Sequence, residues 1–536
     1  MKLPTLLIIL SLAASVAAQT HDHDHPEPEQ LGRVHFETSC APDVSAAFDR
    51  AVALLHSFSF STAKRAFEGI AEEDPSCAMA HWGIAMTQWS NPFALQRSAA
   101  TLAAGQAAAA RAMTIGTPTP RERAYIAAVR ELYRDYETVD QRTRVLAYER
   151  AMESLHEAYP DDREATAFYA LAINQTALPT DKTYAQQLKA AGLLEGLFAD
   201  DPEHPGLAHY IIHAYDHPPL ASRALEAARR YATIAPSAPH ALHMPSHTFT
   251  RVGYWQDSID TNIASAATAL RDGAVSEALH AMDYQVYAYL QTAQDDAARG
   301  VVDEAPRVLA LLDPDALGGA APPVAGFYAA AAIPARYAME RGAWKEAADL
   351  ELHPTPFAYV DAITHFARAV GAARSGASGA ARADSQALKA LGEKLSAAGE
   401  TYWAEQVRIQ HDVAAAWIAF AEGRQDAALD QLRAAVAAED ASDKSAISPG
   451  PLAPARELLG EMLLAMNQPE AALSEFEATL KKEPNRFRAT HLAAQAAKQG
   501  GNLTAARKHY AALVAICEAG DTPGRPELEE AREAAG

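Results

Sequence analysis

Regularly spaced histidines are the residues of this chain best suited to chemistry. Seven of its 20 histidines lie between residues 204 and 247. His209 and His213 form one pair four residues apart, His243 and His247 form another, and the pairs are 34 residues apart. Neutral imidazole is a good ligand for zinc, copper, nickel and iron. The spacing therefore predicts a site for one divalent transition metal of this group.

A repeated helical hairpin must position these pairs. The chain is rich in alanine, and its apolar residues follow helical spacing. A small residue, a bulky residue four positions later and a proline twelve positions later recur, most clearly as Ala472, Phe476 and Pro484. This pattern is typical of the tetratricopeptide repeat (TPR), a 34-residue hairpin that must stack to bury its apolar face. We predict an all-α fold, a TPR-like helical-hairpin solenoid.

The repeat frame places both histidine pairs at positions 5 and 9 of the first helix of a hairpin, on the concave face of the solenoid. Residues four apart share a helix face, and neighbouring helices pack about 8–10 Å apart, so the four imidazoles should meet on one patch. His240 at position 2 of its hairpin, and His280 and Asp283 at positions 2 and 5 of the next, are expected to complete or orient the metal shell.

The function of such a patch stays open at this level. With an open coordination position the metal would activate water, and Asp283 would be a candidate acid or base. The alternative is a metal-free scaffold that binds a peptide or another protein in the concave groove, with protonated histidines clamping a carboxylate. A purely structural use is the third interpretation. The sequence contains no zinc-protease, nucleophile-elbow or phosphate-loop motif that would decide whether the protein is an enzyme.

The first 18 residues have the features of a secretory signal peptide. Lys2 gives a positive start, residues 6–12 are apolar, and Val16, Ala17 and Ala18 form a small-residue cleavage site. A membrane anchor is disfavoured because the apolar run is shorter than the ~20 residues that a span needs. We expect an exported protein, periplasmic or secreted, with no transmembrane segment in the mature chain.

Residues 19–34 are expected to be a disordered lead-in rich in His, Asp and Pro. Cleavage after Ala18 would expose Gln19-Thr20-His21, whose terminal amine, amides and imidazole could hold Cu(II) or Ni(II) in a square plane. A polar lead-in without metal is the alternative.

The chain has three cysteines. Cys40 precedes the first repeat helix and Cys77 lies at the end of that repeat, so the starts of neighbouring first helices should bring them within disulfide range. Export would provide the oxidising environment. A Cys40–Cys77 disulfide is expected, with Cys517 unpaired.

Charge and composition bound the remaining possibilities. The 536 residues carry 46 Lys and Arg against 68 Asp and Glu, a formal net charge of −22. A nucleic-acid partner is not expected, because proteins that bind nucleic acids usually carry a basic stripe.

We divide the chain into a main solenoid over residues 35–370, with the histidine-rich repeats at its centre, and a C-terminal TPR segment over residues 371–536. A polar, proline-rich insertion at residues 442–454 interrupts the second segment.

The histidine-rich stretches also resemble a known family. "HPGLAHYIIHAYDHP", "HALHMPSHTFTRVGYWQDSI" and "ALHAMDYQVYAYLQ" are similar to an exported bacterial TPR protein family, as are "SCAPDVSAAFDRAVALLHSFSF" and "CAMAHWGIAMTQWSNPF" nearer the start. The resemblance covers about residues 30–370. A more distant similarity is to the eukaryotic tetratricopeptide-repeat protein thirty-eight group. Both resemblances imply the helical-hairpin fold and no particular substrate.

Overall fold

The computed structural model describes residues 29–94, 97–314 and 319–535. The expected signal peptide and the Gln19-Thr20-His21 site lie outside the described residues. Residues 29–34, expected to belong to the disordered lead-in, are instead ordered against the repeats. Leu31 is buried, and the Arg33 amide donates to the Glu203 carbonyl at 2.9 Å. Ordered chain therefore begins before the expected boundary at residue 35.

The described part of the chain consists of helices and connecting segments and contains no strand. Short 3₁₀ helices span Pro42–Val44 and Ala221–Ala224. The α-helices are α1 Ser45–His56, α2 Phe60–Glu73, α3 Ala78–Trp89, α4 Ala99–Ile115, α5 Pro120–Glu131, α6 Gln141–Ala158, α7 Arg163–Thr176, α8 Ala185–Asp200, α9 Pro205–Tyr215, α10 Leu225–Ile234, α11 Pro239–His243, α12 Pro245–Val252, α13 Trp255–Arg271, α14 Val275–Gln291, α15 Asp295–Leu309, α16 Pro323–Glu340, α17 Trp344–Ala348, α18 Ala358–Arg374, α19 Ser378–Ala397, α20 Thr401–Ala421, α21 Gln425–Ala441, α22 Ala455–Ala465, α23 Pro469–Lys482, α24 Phe487–Gln499, α25 Leu503–Ile516 and α26 Pro526–Ala535.

Successive helices pack as hairpins, and the recurring small residues explain how. A Cβ on Gly460 of α22 would lie 2.6 Å from the ring of Phe476 on α23, so only glycine allows this approach. Gly83 of α3 lies in the same way against Phe67 of α2. At these two places a glycine on one helix thus lets the phenylalanine ring of the neighbouring helix pack against it and be buried. The predicted all-α, TPR-like solenoid is confirmed.

The C-terminal helices return to the central repeats. Arg486, before α24, is fully buried and donates to Glu340, Glu457 and the Tyr287 hydroxyl. Nearby, the Trp255 indole N–H donates to the Asn485 carbonyl at 2.7 Å. These contacts hold the end of the solenoid against its middle.

The insertion at residues 442–454, called the strap below, crosses the inner face formed by α9, α12 and α14. Asp443 lies 3.3 Å from His217, and the Lys444 ammonium lies 3.4 Å from Asp216, which ends α9. Farther along, the Ser448 carbonyl lies 3.2 Å from the Tyr284 hydroxyl of α14. The strap therefore covers the surface that carries the histidine pairs.

None of the helices described is both long and apolar enough to span a lipid bilayer.

Candidate metal centre

Six histidines on the inner face form two groups of three. His209 and His213 on α9 meet His240 on α11, and we call this group the first triad. The second triad consists of His243 at the end of α11, His247 on α12 and His280 on α14. Within each triad, one ligand atom from every ring lies within 4.8 Å of the others.

This grouping differs from the single patch expected from the sequence. Positions 5 and 9 of one hairpin combine with position 2 of the next hairpin, and the arrangement occurs twice. His240 reaches back to the α9 pair, and His280 reaches back to the second pair. The six candidate histidines are therefore brought together, but as two adjacent groups of three.

In the first triad, one hydrogen bond settles the tautomer of His209. Its Nδ1 lies 2.6 Å from the carbonyl oxygen of His56 and must donate, so its Nε2 carries a lone pair. That Nε2 lies 3.1 Å from Nε2 of His240. Nε2 of His213 is buried and has no hydrogen-bond partner among the described residues. If His240 Nε2 carries a hydrogen, it can donate to His209 Nε2. Nε2 of His213 would still lack a hydrogen-bond partner among the described residues.

In the second triad, His243 and His247 each donate their ring hydrogen to a residue outside the triad. Nδ1 of His243 donates to Asn262 Oδ1 at 2.7 Å, and the Asn262 amide group donates to the Ser258 carbonyl, which identifies the oxygen. Nδ1 of His247 donates to the Asp216 carboxylate at 2.9 Å. The two Nε2 atoms lie 3.1 Å apart and both present lone pairs. Two facing lone pairs repel unless a cation lies between them.

The Tyr284 hydroxyl does not remove this conflict. It lies 3.3 Å from His247 Nε2 and 3.2 Å from the Ser448 carbonyl, and its single hydrogen serves one of them. Within the described chain, His243 Nε2 has no donor in either case.

The nitrogen spacing fits a metal. Nitrogens that are each about 2.0–2.1 Å from one ion, at octahedral or tetrahedral angles, lie about 2.8–3.4 Å apart. The His209–His240 and His243–His247 contacts, both 3.1 Å, fall inside this range.

Electrostatics keeps these imidazoles neutral, as metal ligands must be. Burial lowers the pKa of all six rings, and it lowers the pKa of His209 and of His280 to about 3. The Asp216 carboxylate stays charged, because the neighbouring Lys444 and Arg251 hold its pKa well below the usual range despite its burial. Asp216 can thus orient His247 as a carboxylate partner of the kind that supports metal-bound histidines.

The two triads adjoin each other inside an aromatic enclosure. Ring centroids of His213 and His247 are 6.4 Å apart, and those of His240 and His243 are 6.1 Å apart. The rings that enclose them are Phe58 at 4.4 Å from His209, Phe93 at 4.5 Å from His213 and Tyr284 at 4.7 Å from His243.

Asp283, the expected acid or base, is not a member of either triad. Its Oδ1 accepts a 2.7 Å hydrogen bond from Arg336, and both side chains are fully buried. Asp283, at position 5 of its hairpin, therefore forms an ion pair with Arg336 of α16.

Sequence reasoning missed a second buried histidine cluster. Glu164 on α7 lies between His56 and His204, at 2.7 and 2.9 Å from their Nε2 atoms. The remaining nitrogens are also paired, His56 Nδ1 with the Tyr210 hydroxyl and His204 Nδ1 with the Leu207 amide. We call His56, Glu164 and His204 the His56 cluster. The spread of its members over 149 positions leaves no local sequence signal.

Cys40 and Cys77 are joined in a disulfide, with Cα atoms 4.7 Å apart. Asp74 lies beside them, but a disulfide offers no thiolate to a metal. Cys517 is a buried free thiol.

Several residues around the triads were not expected as parts of a site. Asp216 follows α9 directly and could have been suspected from its place among the histidines. Asn262 and Lys444 are remote in sequence, and only the packing of α13 and the course of the strap bring them here.

No protein-family model matches this chain, and no curated protein sequence matches it. Solved structures of IFIT1 are similar to it. A monomeric IFIT1 mutant with Gppp-AAAA is 12% identical, with a TM-score of 0.35, over 81% of this chain and 90% of that one. The human IFIT1 dimer with m7Gppp-AAAA is also 12% identical, with the same TM-score, over 82% and 90%.

Proposed function

We propose that this chain is a transition-metal-binding protein of TPR-like fold that holds one ion in each triad. The observation that carries the proposal is the contact between His243 and His247, whose Nε2 atoms face each other at 3.1 Å while both Nδ1 hydrogens are used elsewhere. A bound cation converts this repulsion into two bonds. The 3.1 Å contact between His209 and His240, together with the unpartnered Nε2 of His213, supports a second ion.

An all-imidazole ligand set suits zinc, copper, nickel or iron. Three protein ligands leave at least one coordination position for water or substrate, which is the arrangement of catalytic rather than structural sites. We propose a metalloenzyme role on this ground, without Asp283 as acid or base, because that carboxylate is engaged by Arg336.

The alternative of a metal-free scaffold that binds a peptide in the concave groove is less well supported. At the histidine repeats the inner face is already covered by the chain's own strap, through Asp443, Lys444 and Ser448. A peptide would have to displace it.

We also propose that the protein is exported, as in the bacterial TPR family that it resembles. The signal-like residues 1–18 and the Cys40–Cys77 disulfide support this location, since structural disulfides persist in oxidising compartments. Mass spectrometry of the mature protein should find the chain starting at Gln19, with one free thiol after denaturation without reductant. An uncleaved chain with three free thiols would contradict export.

Metal stoichiometry tests the central proposal. Untagged protein, stripped with chelator, reloaded and desalted, should contain two ions per chain by elemental analysis. The variant His243→Ala/His247→Ala should retain one ion, and His353→Ala, which removes an exposed histidine, should retain two. Wild-type protein that retains no metal at neutral pH would overturn the proposal.

A further inference from the structure

The charges around the two triads are unbalanced before any metal binds. Arg251 and Lys444 both pair with the single carboxylate of Asp216, at 2.8 and 3.4 Å. Other charges nearby are matched, the buried Asp283 by Arg336 at 2.7 Å and the partly buried Asp443 by the more exposed Lys182 at 2.9 Å. One positive charge is therefore in excess.

Metal loading would increase this excess. All six ligands are neutral imidazoles, so two divalent ions bring four positive charges that the ligands do not offset. The enclosing rings and the strap separate the site from water, and uncompensated charge is costly in such surroundings. Open coordination positions on both ions provide the place where a negative group would bind.

Lys444 lies where it can act on the second triad. Its ammonium reaches Asp216, and Asp216 in turn accepts the hydrogen bond of His247. One strap residue thus reaches the second triad through Asp216.

We infer that the adjacent triads form one binuclear centre that binds a single small anion between its two ions, with the Lys444 ammonium adding to its attraction. The inference rests on the proposed function, since both ions must be present. The ligands of the centre would be small monoanions of the size of hydroxide, azide or a carboxylate group. Rings of different triads lie 6.1 and 6.4 Å apart, so the two ions would be neighbours.

The test is an azide titration of the Cu(II)-loaded full chain, followed by the ligand-to-metal absorption band, with copper measured in the same samples. We expect one azide per two copper ions. Lys444→Gln should weaken azide binding at least tenfold with copper content unchanged, and Lys444→Arg should restore it. Lys182→Gln makes the same charge change beside Asp443 and should bind azide as the wild type does.

Two results would overturn the inference while leaving the metal sites intact. One is two azides per chain, each on its own ion, and the other is azide affinity unaffected in Lys444→Gln. If copper content falls short of two ions in the wild type, the proposed function itself fails, so the two failures are distinguishable. Thermal unfolding of each variant, compared with wild type, identifies any loss of azide binding that comes from misfolding.

Discussion

The second triad and the His56 cluster are both buried groups of three metal-capable side chains, and they differ in how their lone pairs are used. In the His56 cluster, Glu164 accepts from both Nε2 atoms, and the Nδ1 atoms accept from Tyr210 and Leu207. Every donor there has an acceptor. In the second triad, the Nδ1 hydrogens of His243 and His247 point outward and their Nε2 lone pairs face each other.

Proximity and burial alone therefore do not identify a metal site. A saturated cluster is a stabilising network, and a metal would have to break its hydrogen bonds to enter. A cluster with unsatisfied inward acceptors is incomplete without a cation. Tautomer assignment, made from the outer hydrogen bonds, separates the two cases.

Metal removal should have the largest effect. A ligand that binds only the folded state at 1,000 times its dissociation constant stabilises it by about 4 kcal/mol per site. Chelation should therefore lower the thermal midpoint of wild-type protein strongly, as calorimetry would detect. In His243→Ala/His247→Ala the chelator-induced decrease should be about half as large. An equal decrease in that variant would place the ion elsewhere, including in the His56 cluster.

Acidification should have the next largest effect, a loss of stability of the metal-free protein. Burial lowers the pKa of His209 and His280 to about 3, so the unfolded chain takes up protons below its ordinary pKa of about 6.5 while these folded rings do not. The stabilisation is complete above pH 6.5 and is lost as pH falls toward 3. Each such ring contributes roughly 1 kcal/mol between pH 7 and 5.5. Urea unfolding across that range should show this loss, and a flat profile would mean that the rings are solvated.

Glu164→Gln should lower the stability of the protein without changing its metal content, which would distinguish the His56 cluster from the triads. The amide keeps one acceptor oxygen but points an N–H₂ group at the other imidazole N–H, leaving a buried donor unsatisfied at a cost of about 1–3 kcal/mol. Chemical denaturation should show the loss, and metal content per folded chain should stay at two. Loss of one ion in this variant would make the His56 cluster a metal site.

Asp216→Asn should have a smaller effect, confined to the second triad. The amide oxygen can still accept from His247, but the carboxylate charge that orients the ring is removed. Partners of this kind typically contribute 10–100-fold to metal affinity. Competition with a chromogenic chelator should find one weakened and one unchanged site. Two unchanged sites would mean that Asp216 serves only Arg251 and Lys444.

Much of the fold followed from the sequence, because the hairpin contacts are local. Phe476, the bulky position of the repeat pattern, packs against Gly460 on the preceding helix, so this contact lies within a single hairpin. The six histidines were also found by register. Their division into two triads could not be predicted. It depends on how far the side chain at position 2 of a hairpin, His240 or His280, extends toward the preceding histidine pair.

The remaining parts of the site depend on long-range packing. Lys444 is 228 positions from Asp216, and the course of a loop such as the strap has no periodicity to read. Asp283 was expected near the metal because of its position in the repeat. The buried Arg336 on α16, which has no repeat signature, pairs with it instead.

A crystal structure of zinc-loaded protein with anomalous data at the zinc edge would locate the bound ions themselves. We expect two anomalous peaks per chain, one within about 2.0–2.1 Å of nitrogens from His209, His213 and His240, and one at the same distance from nitrogens of His243, His247 and His280. No peak at either triad, or a peak between His56, Glu164 and His204, would contradict this expectation.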